Sequence, residues 1–216
     1  MSCFVRIFLI LFGLVFLAVG VTIGIFGTRD AMAAGARAQR LAPQSAAALE
    51  QAAAGSEVLV EGRLSDRNSA RFRTFVAYSA DEYRGTDDDG DAIWTEVERV
   101  TPPLLIEAGG LVQIGNDDYE LERAHEHWQE SERLRYSGGQ GTRRYAGMRA
   151  GEMVTTIGVI RAGPEGNEVQ AEILFGGNRD AYITARESDA RWLPIFGLIF
   201  GVIGAAVAAV GIFSRS

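Results

Sequence analysis

The densest set of potential cation ligands in the sequence is the run Asp87-Asp-Asp-Gly-Asp91. With Gly90 at the sharp-turn position, Asp87 and Asp89 match the early acidic positions of a calcium-loop pattern, Asp91 lies within the loop, and Glu96 matches the closing glutamate. Gly85 stands where that pattern needs its first acid, so the same run also reads as a solvated turn. His125-Glu-His127, with Glu130 nearby, is the one histidine pair. On a helix two such residues point about 200° apart and cannot share a metal, whereas on a strand they could. A helical setting is expected here, which makes them an exposed polar face. Ser137 lacks the Gly-x-Ser-x-Gly spacing of a strained nucleophile elbow, and Ser137-Gly-Gly-Gln-Gly141 lacks the ending of a phosphate loop, leaving a flexible linker. Arg133, Arg135, Arg143, Arg144 and Arg149 form the basic concentration of an acidic segment. They are candidate contacts for lipid head groups or an acidic partner, against a solvated face paired with Glu130 and Glu132. No catalytic residue, metal ligand or cofactor is assigned.

Composition removes several classes of chemistry. The 21 basic residues are all arginine, which excludes lysine Schiff bases, Ser-Lys catalysis and a P-loop lysine. A single cysteine, Cys3, cannot form an internal disulfide or supply a zinc ribbon or RING cross-brace. All 28 acidic residues lie between Asp30 and Asp189, and that acidic middle makes nucleic acid an unexpected partner.

The elements that must position these residues begin with two apolar runs, Ile7 to Phe26 and Trp192 to Phe213, without a charged side chain. Each has the length of about 20 residues that a bilayer core of roughly 30 Å demands. Residues 7–26 and 192–213 are therefore expected to be transmembrane helices. The first run is longer than a cleaved signal's apolar region, which favours an uncleaved anchor over a removed signal. Trp192 marks an interface, and Pro194 is expected in the first turn of the second helix. Gly13, Gly20 and Gly24 in the first run, and Gly197, Gly201 and Gly204 in the second, have spacings that let helix backbones approach closely, within or between chains; glycine is also simply common in membrane helices. Both termini lie on one side and the middle on the other. The arginine count does not settle which, because the positive-inside rule weakens for so long a loop.

Residues 28–55 read as a helical stalk or linker, with a helix over Gln44 to Ala54 stopped by Gly55. From Glu57 the period becomes two. Strands are expected at Val58 to Leu64, Phe72 to Tyr83, Ile93 to Val100, Leu104 to Ile106, Leu111 to Ile114, Tyr119 to Leu121, Met153 to Arg161, Glu168 to Phe175 and Ala181 to Ala185. A helical insertion is expected from Glu122 to Arg135. Residues 56–190 thus form one β-rich domain, a small barrel or sandwich.

The order Val58-Leu-Val-Glu-Gly-Arg-Leu64, Thr74-Phe-Val-Ala-Tyr-Ser79, Glu82-Tyr-Arg84, Pro103-Leu-Leu-Ile-Glu107 and Gly110-Leu-Val-Gln-Ile114 resembles the membrane-flanked GIDE or BAM (beside-a-membrane) domain. Arg143-Arg-Tyr145, Gly151-Glu-Met-Val-Thr-Thr-Ile-Gly158, Phe175-Gly-Gly177, Ala181-Tyr-Ile-Thr184 and the final apolar run continue it. The eukaryotic relatives are mitochondrial ubiquitin ligases whose chemistry resides in a RING finger. The single cysteine here leaves that ligase activity uncarried. The resemblance implies an OB-like barrel between two spans, extracytoplasmic with both termini cytoplasmic. It would act as a non-catalytic binding or scaffold module with a membrane or extracytoplasmic protein partner. The alternative is a regulatory subunit of a membrane-associated protease or ligase whose catalysis lies on another chain.

Overall fold

The computed structural model describes residues 3–124, 126–164 and 166–213. In chain order the helices α1 (Cys3–Val21) and α2 (Thr28–Arg40) are joined by a π-helical segment, Thr22–Gly27, and followed by a short α3 (Ala46–Glu50). The strands are β1 (Glu57–Leu64), β2 (Phe75–Thr86), β3 (Ala92–Val100), β4 (Leu104–Glu107), β5 (Leu111–Ile114) and β6 (Glu120–Glu122). They continue with β7 (Glu126–Gln129), β8 (Tyr136–Ser137), β9 (Gln140–Gly141), β10 (Arg143–Arg149), β11 (Met153–Gly163) and β12 (Gly166–Gly176), and α4 (Arg179–Phe213) ends the fold. Two compact units result: a helical one, Met1–Arg40 with Asp180–Ser216, and a β-rich one, Leu41–Arg179.

In the β-rich unit, β1 pairs with β4, β4 with β5, β5 with β12, β12 with β11, and β11 back with β1, closing a five-stranded barrel. Every pairing is antiparallel except β5 with β12. Closure removes the barrel's free edges. Its interior is filled by Val60, Leu64, Ile106, Ile114, Val154 and Leu174, all of them buried, and strand alternation selects them. Tight curvature requires glycine at two corners. A side chain on Gly62 would meet the Glu107 carbonyl, and one on Gly158, at the bulge between Ile157 and Gly158, would meet the Gln170 carbonyl.

Two asparagines act as strand surrogates where the ladder is incomplete. The Asn68 amide donates to the Leu105 carbonyl and its oxygen accepts from the Leu105 N–H, both at 2.8 Å. Asn116 makes the same two bonds, at 2.8 Å, to Ala171. Tyr119, buried, donates its hydroxyl to the Pro102 carbonyl at 2.8 Å. Burial pushes the Tyr119 phenol well above its ordinary pKa.

The two long connections of the barrel carry the remaining strands. The link from β1 to β4 supplies β2 and β3, and the link from β5 to β11 supplies β6, which lies parallel to β12, then β7, the β8–β9 hairpin and β10; β2, β3, β7 and β10 make a second sheet ordered β3-β2-β10-β7. Its own small core is aromatic. Phe72 stacks on Tyr145 at 4.2 Å between ring centroids, and Tyr78 and Trp128 flank the pair.

Several sequence expectations are corrected. The helical insertion over Glu122 to Arg135 does not form; β6 and β7 occupy its first half. The glutamates and arginines there favour a helix only weakly, and pairing of β7 with β10, with Trp128 against Phe72 and Tyr145, outweighs that preference. Ala181 to Ala185 is the beginning of α4, not a strand, despite its β-branched Ile183 and Thr184. Consequently Pro194 lies inside α4 and not in its first turn, and the domain boundary at 190 moves to Arg179. The stalk assigned to 28–55 divides likewise: α2 belongs to the helical unit, and 41–55 to the β-rich unit. The helix expected over Gln44 to Ala54 shrinks to α3, capped by the Ser45 side chain.

Candidate functional site

In the helical unit the glycines form a seam between antiparallel helices. A Cβ added at Gly13 would lie 2.5 Å from the Gly204 carbonyl oxygen, and one at Gly20 would lie 2.6 Å from the Gly197 carbonyl oxygen. Gly24 faces Gly197, and Gly204 faces the backbone around Gly13 and Leu17. Helices at this separation pack backbone on backbone, the geometry that small residues permit. Gly201 differs: its backbone approaches Gly20, but a Cβ there would point into open space.

A seven-residue spacing underlies the seam and is legible in the sequence: Gly13, Gly20 and Gly27; Gly24, Ala31 and Ala38; Gly197, Gly204 and Gly211. Such a repeat keeps one stripe facing a partner along a left-handed pair. The stripe continues past the apolar run, where Ala31 and Ala38 are buried, a side chain on Gly35 would touch Arg186, and Gln39 donates to Glu187 at 3.2 Å. Outside the seam, large apolar side chains are exposed along both helices, including Phe8, Leu11 and Phe12 in α1 and Phe196, Leu198 and Val202 in α4. Both helices are long and apolar enough to cross a membrane. At the end of the hairpin Arg6 donates to the carbonyls of Gly211 (3.2 Å) and Ile212 (3.0 Å), satisfying C-terminal acceptors of α4. Pro194, which cannot donate to the preceding turn, sits beside the π-helical segment: a Cβ on Gly24 would come within 3.9 Å of its Cα.

The five arginines do not form one cluster. Strand alternation along β10 sends Arg143 and Arg144 to opposite faces, and each meets carboxylates. Arg143 reaches Glu82 (3.4 Å) and Glu98 (3.9 Å), Arg144 reaches Asp81 (2.9 Å), and Arg149 pairs with Glu126 and with Glu152 (3.4 Å). Arg133 and Arg135 lie in the segment before the β8–β9 hairpin. Ser137-Gly-Gly-Gln-Gly141, expected as a flexible linker, makes up that hairpin's tight turn and β9, with Gly138 and Gly139 at φ of 62° and 82°. Buried Glu82 pins the hairpin, accepting from the Gly141 N–H at 3.0 Å and from Arg84 at 2.9 Å.

The acidic run is the turn between β2 and β3. The Asp87 carboxylate accepts from the backbone N–H groups of Asp89 (3.1 Å) and Asp91 (2.8 Å), and Glu96 is held by Arg99 through two bonds of 3.1 and 2.9 Å. Among the described residues no three His, Cys, Asp or Glu side chains converge as a metal site. His125 lies outside the described residues. His127 stands on β7, a strand and not a helix, opposite Ala146.

A concavity of about 520 Å³ on the second sheet is lined by Ser79, Asp81, His127, Gln129 and Arg144 together with Trp128, Tyr145 and Ala146. The Arg144 guanidinium lies 4.3 Å over the Trp94 ring and bonds Asp81, so it is fixed by stacking and charge together. The concavity thus sets fixed donors and acceptors beside apolar surface. On the opposite face burial, followed by its hydrogen bond to Glu98 at 2.9 Å, pushes the Tyr78 phenol up to about 12. Burial raises Tyr145 too.

Comparison with protein-family models, with curated proteins and with solved structures gives no match.

Proposed function

We propose that the protein is a membrane-anchored binding or scaffold module, in which the α1/α4 hairpin spans the bilayer and holds the β-rich unit outside it. The observation that carries this is the distribution of apolar surface. Side chains such as Phe8, Leu11 and Leu198 are exposed along the helices, where water would penalise them, and glycines occupy the seam between them. The helices change character at Thr28 and Arg191. Beyond those points α2 and the first part of α4 carry Asp30, Arg37, Arg186 and Glu187, so they leave the lipid as a polar two-helix stalk. At 1.5 Å per residue, the 13 residues of α2 extend about 20 Å from the apolar run.

In this proposal the barrel is OB-like, supported by its five strands and single parallel closure, and the chain is a GIDE/BAM-type protein, supported by a barrel between two apolar helices. Its work is non-catalytic: the concavity around Arg144 is ordered for recognition, its arginine and aspartate already paired. The β-rich unit is taken as extracytoplasmic, with a membrane or extracytoplasmic protein as its partner. Alkaline carbonate extraction of native membranes tests the anchor. The protein is expected in the pellet, and its release into the supernatant would refute insertion. Proximity crosslinking from the β-rich unit tests the partner, and recovery of a protease or ligase would favour the regulatory-subunit alternative.

A further inference from the structure

Strand β3 is an edge. It is hydrogen bonded to β2 along one side and, among the described residues, has no strand on the other. It is nine residues long, holds neither proline nor lysine, and exposes Ile93 and Val97. Uncovered edges of this length are templates for pairing with another strand.

The register with β2 shows which strand it fits. Arg99 lies opposite Ser79 and Glu96 opposite Asp81, on one face of the sheet. Thr95 opposite Glu82, Glu98 opposite Ala80 and Val100 opposite Tyr78 lie on the other face, and Val97 is the extra residue of the bulge. On either side of the central Val97 and Glu98, the segment from Thr95 to Val100 therefore has the same face order read from either end. Thr95 and Val100 are equivalent in that order, as are Glu96 and Arg99, and the second pair has opposite charges. That is the self-complementarity an isologous two-fold interface requires.

We infer that β3 pairs antiparallel with β3 of a second copy of this chain, joining two four-stranded sheets. Glu96 then faces the second copy's Arg99 and Arg99 its Glu96, with Thr95 facing Val100 on the other face. Neighbouring registers are worse: centring the pair on Val97 sets Glu96 against Glu98, and centring it on Glu96 or Glu98 sets like carboxylates together. Within one chain Glu96 and Arg99 already touch, so pairing converts two bridges into a four-charge network. The main-chain hydrogen bonds hold the strands together and the charges choose the register. The two-fold closes on itself, which limits assembly through this edge to a dimer.

The test uses the full chain in detergent, with its mass measured by light scattering across a concentration series. The wild type is expected to be dimeric. Glu96→Arg or Arg99→Glu alone should weaken the dimer by about tenfold or more, since each makes both cross-strand pairs repulsive. Mixing the two single variants should restore association, because arginines at 96 and 99 of one copy then face glutamates at 99 and 96 of the other. Val97→Lys, on an already exposed bulge, should weaken the dimer without altering the far-ultraviolet circular dichroism, and serves if a charge reversal fails to fold. A monomeric wild type would overturn the inference. So would a dimer indifferent to the single reversals and to Val97→Lys, or folded single variants that do not recover on mixing.

Discussion

At the scale of single residues, Glu82 illustrates how a charge becomes structural. It is buried on β2, yet its carboxylate has a backbone N–H and two guanidiniums around it. Glu82→Ala would leave the Gly141 N–H without an acceptor, a loss of about 1 to 3 kcal/mol. Arg84 and Arg143 are roughly a third exposed and would re-solvate, which keeps the cost toward the lower end. Denaturant unfolding of the full chain should show the lowered midpoint, and amide exchange should show early loss of protection at Gly141. The buried tyrosines set an alkaline limit. A phenol whose pKa is higher folded than unfolded holds its proton more tightly in the native state, so its contribution is intact below about pH 10 and falls above it. For Tyr78 the fall runs from about 10 to about 12, the folded value. Stability measured over that window should decline, and Tyr78→Phe should flatten the decline; an unchanged slope would count against it. Residue roles of this kind were only partly legible in sequence. Asn68 and Asn116 look like turn residues, and nothing local says that each substitutes for a strand.

At the scale of elements, the helix seam makes the sharpest distinction between neighbours of one type. Gly20→Ala places a methyl group 2.6 Å from opposing backbone, which cannot yield as a side chain would. It should cost about 1 to 3 kcal/mol or part the hairpin. Gly201→Ala meets nothing within 4 Å and gains helix propensity, so it should be neutral or stabilising. Thermal unfolding of the two variants in the same detergent would separate them, and equal effects would contradict the seam. The seven-residue repeat that predicts this stripe is present in the sequence, overlaid by four-residue glycine spacings such as Gly20 to Gly24 and Gly197 to Gly201. Other elements were hidden for physical reasons. Strand β7 reads as helix because Glu126 and Gln129 are good helix formers, and only contact with distant β10 and Phe72 makes it a strand. The first turns of α4 read as a strand because Tyr182, Ile183 and Thr184 suit one.

At the scale of the whole molecule, alternation made the barrel's strands legible, but its closure rests on a parallel pairing between β5 and β12, far apart in the chain, that no local pattern announces. Division into a helical and a β-rich unit was legible as a change from an apolar run to a period of two, with the boundary misplaced because α2 and α4 continue beyond the apolar residues. In the proposed arrangement the hairpin lies in lipid while the β-rich unit lies in water. The most direct measurement is thiol accessibility in native membranes, with Cys3→Ser as background and single cysteines introduced as Val15→Cys, Val202→Cys and Asp89→Cys. Positions 15 and 202 are expected to resist a membrane-impermeant maleimide until detergent is added, and position 89 to react from one side of the membrane. Ready labelling at 15 and 202 in intact membranes would contradict this arrangement.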